Sequence, residues 1–379
     1  MWNIKAIKDM HSYATERLKN CQDPKEKELL QLSLVSYQAL LENSGTFTQT
    51  QIPNIMDKIT KNQYSQKKEQ EIGSIERELF FGNEAYIDNN YLTFLIQLCS
   101  NVASTEMVDM DEKMFTNFDV SYESIVDMSK KFYMQLGDEE IYTNALKILD
   151  DESALNFSKV SRRGMTDCSG LTFNDYMFDK AYCNITKQNN VFDYQVLNHE
   201  VMHGIDFYMK KKVPSENYYG FHEVPTYTID YLFIDYMEQM GLQPEQVQIL
   251  RQQKDNYLQS LATITQMQIK RIISSQKGYK ASINPSIEDI KDALNPQLKK
   301  QLLEIQSGIM SYGLFSQIKQ DKQVGLDNLK RFMTTIIPKD KVPDFSEIGL
   351  GYEELLYYSQ SIGTYSNSLN EQEIQGKSR

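Results

Sequence analysis

Along most of the chain apolar residues return every three or four positions, and only 9 prolines and 17 glycines interrupt them, so the pattern predicts a mainly α protein. Leu18, Leu29, Leu30, Leu34, Tyr37, Leu40 and Leu41 mark one or two amphipathic helices over about 9–43, broken near Pro24. A second run covers 69–100. A third covers 122–136, where Ser121 or Tyr122 opens a cap ahead of Ile125, Met128 and Phe132. The texture changes over 162–190, where 164–171 and 182–186 are short and rich in glycine, β-branched and aromatic residues. These two segments read as strands of a small sheet, joined by a loop. Beyond the capping residues Asn189 and Asn190, the positions Phe192, Val196, Leu197, Val201, Ile205 and Tyr208 form the apolar stripe of a helix that ends near Met209. Lys210, Lys211 and Lys212 suit the negative end of its dipole. A loop over 213–220 precedes helices at 223–240, 244–275, 286–322 and 350–370.

The sheet-proximal helix carries the chemistry. His199-Glu200-Val201-Met202-His203 sets two imidazoles at i and i+4, on adjacent turns of one helix face, so both can point a ring nitrogen at one tetrahedral ion. Glu223 follows 24 residues after His199, at the head of the next helix, and supplies an oxygen ligand. Two histidines and one glutamate leave a fourth position for water, which is the arrangement of a catalytic rather than a structural zinc. Zinc lowers the pKa of that water toward about 7, and Glu200, beside a ligand but not one itself, is placed to take its proton and pass it to a departing amine. Ligand imidazoles usually give their second N–H to an oxygen acceptor. Asp206, three residues past His203, and Asp230, seven past Glu223, have the spacing for that part. His11 and His222 receive no role.

Charge and cysteines narrow the partners. Lys and Arg number 40 against 52 Asp and Glu, a formal net charge of −12 that repels nucleic acid and anionic membrane. No stretch reaches about 18 apolar residues, and the first residues lack the apolar segment of a signal peptide, so a cytoplasmic protein with no membrane partner is expected. Cys21, Cys99, Cys168 and Cys183 are scattered, as reduced thiols are.

The motif and its surroundings resemble the thimet oligopeptidase and oligoendopeptidase F family of zinc metallopeptidases. That family combines a His-Glu-x-x-His helix with a downstream Glu-x-Pro-Ser-x-x-x-Glu segment. Here Glu223-Val224-Pro225-Thr226 begins the segment and Asp230 stands at its second Glu. The approach to the helix is similar as well, from Arg162-Arg163-Gly164-Met165-Thr166-Asp167-Cys168-Ser169-Gly170 through to Leu197-Asn198-His199. The resemblance covers about 118–369. It implies a two-lobed helical metallopeptidase with the small sheet beside the zinc helix, a channel between the lobes, and short peptides as substrates.

The resemblance also implies an edge strand that pairs with substrate backbone. That strand would be the segment of Cys168, Ser169 and Gly170, or the one of Cys183 and Asn184. A division into an N-terminal helical lobe, 1–117, and a catalytic region, 118–379, follows from a boundary near 105–118. Two departures stand out: Met202 replaces the family's usual Gly, and Asp206 occupies a position where a third His is common. The family's late helix bears a His and several Tyr that stabilise the oxyanion, whereas the corresponding Ser307-Gly308-Ile309-Met310-Ser311-Tyr312-Gly313-Leu314 keeps one tyrosine, Tyr312. Tyr218, Tyr219, Tyr357 and Tyr358 are further candidates. The expected function is a zinc-dependent endopeptidase of oligopeptides. The alternatives are a zinc-containing peptide-binding protein that has lost turnover, and an aminopeptidase, which would need a group to bind a free amine.

Overall fold

The computed structural model describes residues 4–42, 86–104, 121–151, 154–159, 170–175, 179–187, 192–210, 221–335 and 341–362. Their elements, in order, are α1 (Ile4–Asn20), α2 (Pro24–Glu42), α3 (Asn89–Ala103), α4 (Tyr122–Leu136), α5 (Glu139–Leu149), β1 (Leu155–Lys159), β2 (Gly170–Asp175), β3 (Lys180–Lys187) and α6 (Phe192–Lys210). The chain continues with α7 (Glu223–Gln239), α8 (Pro244–Lys277), α9 (Tyr279–Ile283), α10 (Ile287–Ala293), α11 (Pro296–Gln320), α12 (Lys322–Thr334), a 3-10 turn at Ser346–Ile348, and α13 (Tyr352–Ser361). The mainly helical reading with a small sheet is borne out. No helix among the described residues is long and apolar enough to cross a membrane.

The chain forms two compact units, each made of two stretches: Met1–Gly82 with Phe115–Val213, and Asn83–Met114 with Pro214–Arg379. This differs from the single division at 117/118 expected from sequence. The cause is α3. Its buried face, Leu92, Leu95, Leu98 and Val102, packs on α8, α11 and α13, which draws it into the unit of the C-terminal helices.

In the first unit the sheet has the order β1-β3-β2, so β3 is the middle strand. It runs parallel to β1, with Cys183 opposite Leu155, and antiparallel to β2, with Cys183 opposite Thr172 and Ile185 opposite Gly170. Alternation gives the sheet two faces. Tyr182 packs with Ala14 of α1 and with Leu30 and Tyr37 of α2, while Ala181 and Cys183 face α6. Asp175, at the end of β2, is fully buried and accepts hydrogen bonds from Tyr37 Oη at 2.5 Å and Ser33 Oγ at 3.2 Å, which ties α2 to the sheet. α6 lies across β2 and β3, with α4 and α5 packed along it. The parallel strand β1 and the helix α5 are absent from the sequence reading. α5 has its own local signals, a cap in which Asp138 accepts from the N–H groups of Glu140 and Ile141 and a buried face of Ile141, Ala145 and Ile148.

Among its described residues the second unit has helices and a 3-10 turn but no strand. α7 packs on α11, and Ser311 Oγ reaches back to the Val224 carbonyl at 3.0 Å. Arg251 of α8 bonds Asp235 at 3.0 Å and Glu238 at 2.7 Å on α7, and Lys319 of α11 reaches Asp235 at 2.6 Å. The sequence pattern 286–322 splits in two at Pro296, which opens α11 behind an Asn295 cap. The pattern at 69–100 keeps its later part as α3, and residues 69–85 lie outside the described ones.

Tyr37→Phe tests the buried tie between α2 and the sheet. The phenol donates to a carboxylate that cannot be rehydrated in place, so its removal should destabilise the protein by about 1.5–3 kcal/mol, read from chemical unfolding.

Candidate active site

α6 is buried around most of its circumference. Leu197, Val201, Met202, Gly204, Ile205 and Tyr208 are all in the interior, whereas Val196, His199, His203, Phe207 and Lys210 are partly exposed. Those five follow one another by three or four residues, so they form a single stripe. The two imidazoles sit at its centre, with ring centroids 5.0 Å apart and planes at 82°. Both are set for ring nitrogens to leave the helix on the same side.

Side chains from α4 and β3 hold the backbone beneath this pair, and Tyr208 of α6 itself ties the helix to β3. Tyr133 of α4 donates to the Asn198 carbonyl at 3.0 Å. Cys183 Sγ donates to the Glu200 carbonyl at 3.4 Å. Tyr208 Oη accepts from the Ala181 N–H at 3.0 Å, and burial pushes the Tyr208 phenol up to about 12. Gly204, the residue after His203, permits the close approach: a Cβ there would stand 2.3 Å from Ile148 Cδ1 and 3.0 Å from Ala181 Cβ.

Glu200 is 6% exposed and lies against β2. Thr172 Oγ1 is 2.7 Å from its Oε2 and 2.8 Å from its carbonyl oxygen. Gly170, two residues earlier on the same face, leaves just enough room, since a Cβ there would meet Glu200 Cγ at 2.5 Å and Oε1 at 2.6 Å. Sequence reasoning missed Thr172. The period-two alternation of the strand, which sets Gly170 and Thr172 on one face, was the available signal.

In the second unit Glu223 is the first residue of α7. Both of its carboxylate oxygens are engaged, Oε1 with His222 Nε2 at 2.9 Å and Oε2 with Thr226 Oγ1 at 3.0 Å. His222 and Thr226 therefore fix the orientation of this carboxylate, a part the sequence assigned to neither.

Solved structures resemble the chain, and the first of them shares its fold. A candidate peptidase from Chlamydophila abortus matches at a TM-score of 0.50 with 12% identity, over 94% of this chain and 67% of that one. A candidate oligoendopeptidase F from Bacillus anthracis str. Ames matches at 0.48 with 12% identity, over 98% and 97%. PZ peptidase A with inhibitor 2 matches at 0.44 with 11% identity, over 92% of this chain and 66% of that one. No family model matches the chain. No curated protein matches it either. At a TM-score of 0.50 the Chlamydophila abortus structure supports, at the level of fold alone, the resemblance drawn from the motif.

The remaining expected residues fall as follows. Asp206 is buried and pairs with Lys210 one turn on, at 2.5 Å, so its bond within the described residues serves the last turn of α6. Asp230, 1% exposed, bonds Lys254 of α8. Cys183 and Asn184 need correction as a substrate-pairing strand. They lie in β3, whose two sides are already paired with β1 and β2, so its backbone has no free edge. Asn184 is 1% exposed, and burial raises the Cys183 thiol pKa. Gly170 opens β2, an edge strand of the three, whereas Cys168 and Ser169 lie outside the described residues. Tyr312, half-buried on α11, stands in an aromatic cluster with ring centroids 5.7 Å from Tyr231, 6.1 Å from Phe315 and 6.4 Å from Tyr358. Tyr218 and Tyr219 fall outside the described residues, and Tyr357 is 68% exposed.

Gly170→Ala tests the closeness of strand and carboxylate. The added methyl has to displace Glu200 or the strand, and overpacking of this kind costs about 1–3 kcal/mol. Chemical unfolding should show that loss, and an unchanged stability would mean that Glu200 does not lie against Gly170.

Proposed function

We propose that the protein is a zinc-dependent endopeptidase of short peptides, with His199, His203 and Glu223 as the metal ligands and Glu200 as general base. The observation that carries this reading is the stripe on α6: two imidazoles on adjacent turns, with a buried carboxylate one residue on from the first. The donor set fits zinc in kind, since two neutral imidazoles and one carboxylate are the usual protein ligands of a hydrolytic site. A bound zinc supplies a Lewis acid and makes water acidic near neutral pH.

The protein's own groups account for the rest of the reading. Glu200 takes a proton from water and returns it to the leaving amine, and its burial beside β2 keeps it in one place while it does so. His222 and Thr226 hold the Glu223 carboxylate so that little orientation is left to be lost on binding an ion. An extended peptide lying along the edge strand β2 would pass Gly170, and therefore Glu200, with backbone pairing providing affinity without strong side-chain preference. The peptidase name of the structure that shares the fold supports the same class of reaction.

The aromatic cluster around Tyr312 favours packing for that residue and keeps open the second reading, a peptide-binding protein without turnover. A phenol donating to the oxyanion remains the proposed catalytic part for Tyr312, and the kcat of Tyr312→Phe separates it from packing.

Two variants test the main proposal. Purified protein should hold about one zinc per chain by elemental analysis, and His203→Ala should lose it. Wild type should cleave a quenched-fluorescent mixture of short peptides, and Glu200→Gln should keep its zinc while kcat falls by about 10²- to 10⁴-fold. Zinc retention without any cleavage by wild type would favour the binding protein.

A further inference from the structure

We infer that Thr172 is the positioning residue of the Glu200 carboxylate, an inference that rests on the general-base reading above. Its hydroxyl meets Glu200 at both ends, 2.7 Å from Oε2 and 2.8 Å from the carbonyl oxygen. Both lengths suit an O–H···O hydrogen bond, yet a threonine hydroxyl has one hydrogen. It therefore donates to one oxygen at a time.

With Glu200 ionised the donation goes to Oε2, because a charged acceptor makes the stronger bond. The main-chain oxygen does not suffer, since it lies inside α6, where it accepts from the helix, and Cys183 Sγ stands 3.4 Å from it. Threonine suits this task. It is branched at Cβ, so its χ1 is stiff, and it stands on a strand that pairs with β3 directly opposite Cys183.

Gly170 completes the arrangement from the other side. Its missing Cβ lets Glu200 Cγ and Oε1 press against the strand, so the carboxyl meets a surface at Gly170 as well as the hydrogen bond at Thr172. Glutamate has three rotatable side-chain bonds, and ordering them before substrate arrives is the preorganisation that general-base catalysis needs.

The test uses Thr172→Val, which keeps the shape and removes the hydroxyl, and Thr172→Ser, which keeps the hydroxyl. Thr172→Val should lower kcat by about 10- to 100-fold with KM changed less than about twofold and the zinc content of wild type retained. Thr172→Ser should stay within about threefold of wild type. In a Glu200→Gln background Thr172→Val should slow the residual rate by less than about twofold, because a group acting through the carboxylate has nothing left to act on. Wild-type kcat in Thr172→Val would overturn the inference. So would a loss in Thr172→Ser equal to that of Thr172→Val, which would assign the effect to the methyl group.

An unfolding cycle reads the contact without turnover. Thr172→Val should lower the melting temperature by at least about 2 °C more in the presence of the Glu200 carboxylate than in Glu200→Ala. Equal losses in the two backgrounds would overturn the inference. Absence of any peptide cleavage by wild type would instead overturn the peptidase reading, and the unfolding cycle would still decide Thr172.

Discussion

The depth at which α6 sits on the sheet governs this site. That depth is set at Gly204, where any larger residue would run into Ile148 Cδ1 and Ala181 Cβ. With the helix seated there, Val201, Ile205 and Tyr208 are in the interior, and Glu200 comes level with the edge strand β2. The His199–His203 stripe then takes the one side left partly open. A helix lying even an ångström farther from the sheet would lose the bonds that Tyr208 makes to Ala181 and Thr172 makes to Glu200. Packing at a glycine thus controls the geometry of groups one and four residues away.

Rotation about the helix axis is controlled separately, by polar contacts to the backbone. The carbonyls on either side of His199 each receive a side-chain donor, Tyr133 at Asn198 and Cys183 at Glu200. These come from α4 and β3, elements on which α6 packs in the same unit, so the helix face is registered against both. Buried carboxylates serve the same end. Asp175 joins α2 to β2 through Tyr37 and Ser33, and such a group strengthens the structure only because both of its oxygens are bonded.

The second unit fixes Glu223 and the helix it begins by the same means on a different scaffold. α7 is held by Ser311 at its first turn and by the Arg251, Asp235, Glu238 and Lys319 network near its end. A small residue on α11 also lets α8 approach it, since a Cβ at Gly308 would meet Leu258 Cδ2 at 2.3 Å. In sequence, Ser307, Gly308 and Ser311 belong to the segment where a catalytic tyrosine was sought. In space their work is to let helices approach, and Tyr312 beside them joins an aromatic cluster.

The chain's own pattern determined the helical class, the His199-Glu200-x-x-His203 face and the start of α7 at Glu223, because each depends on spacings of three or four residues within one helix. It also placed β3 to within two residues at its start and one at its end. Tertiary structure decided what depends on distant partners. That β3 is the middle strand, which removes Cys183 and Asn184 from any substrate edge, follows from β1 pairing with it in parallel, and nothing in a five-residue strand announces its partner. The same holds for α3 joining the later helices, for Asp206 turning to Lys210, and for Thr172 meeting Glu200 across 28 residues. Periodicity tells which face of an element is apolar. Which surface that face meets, and how closely, is settled only when the whole chain packs.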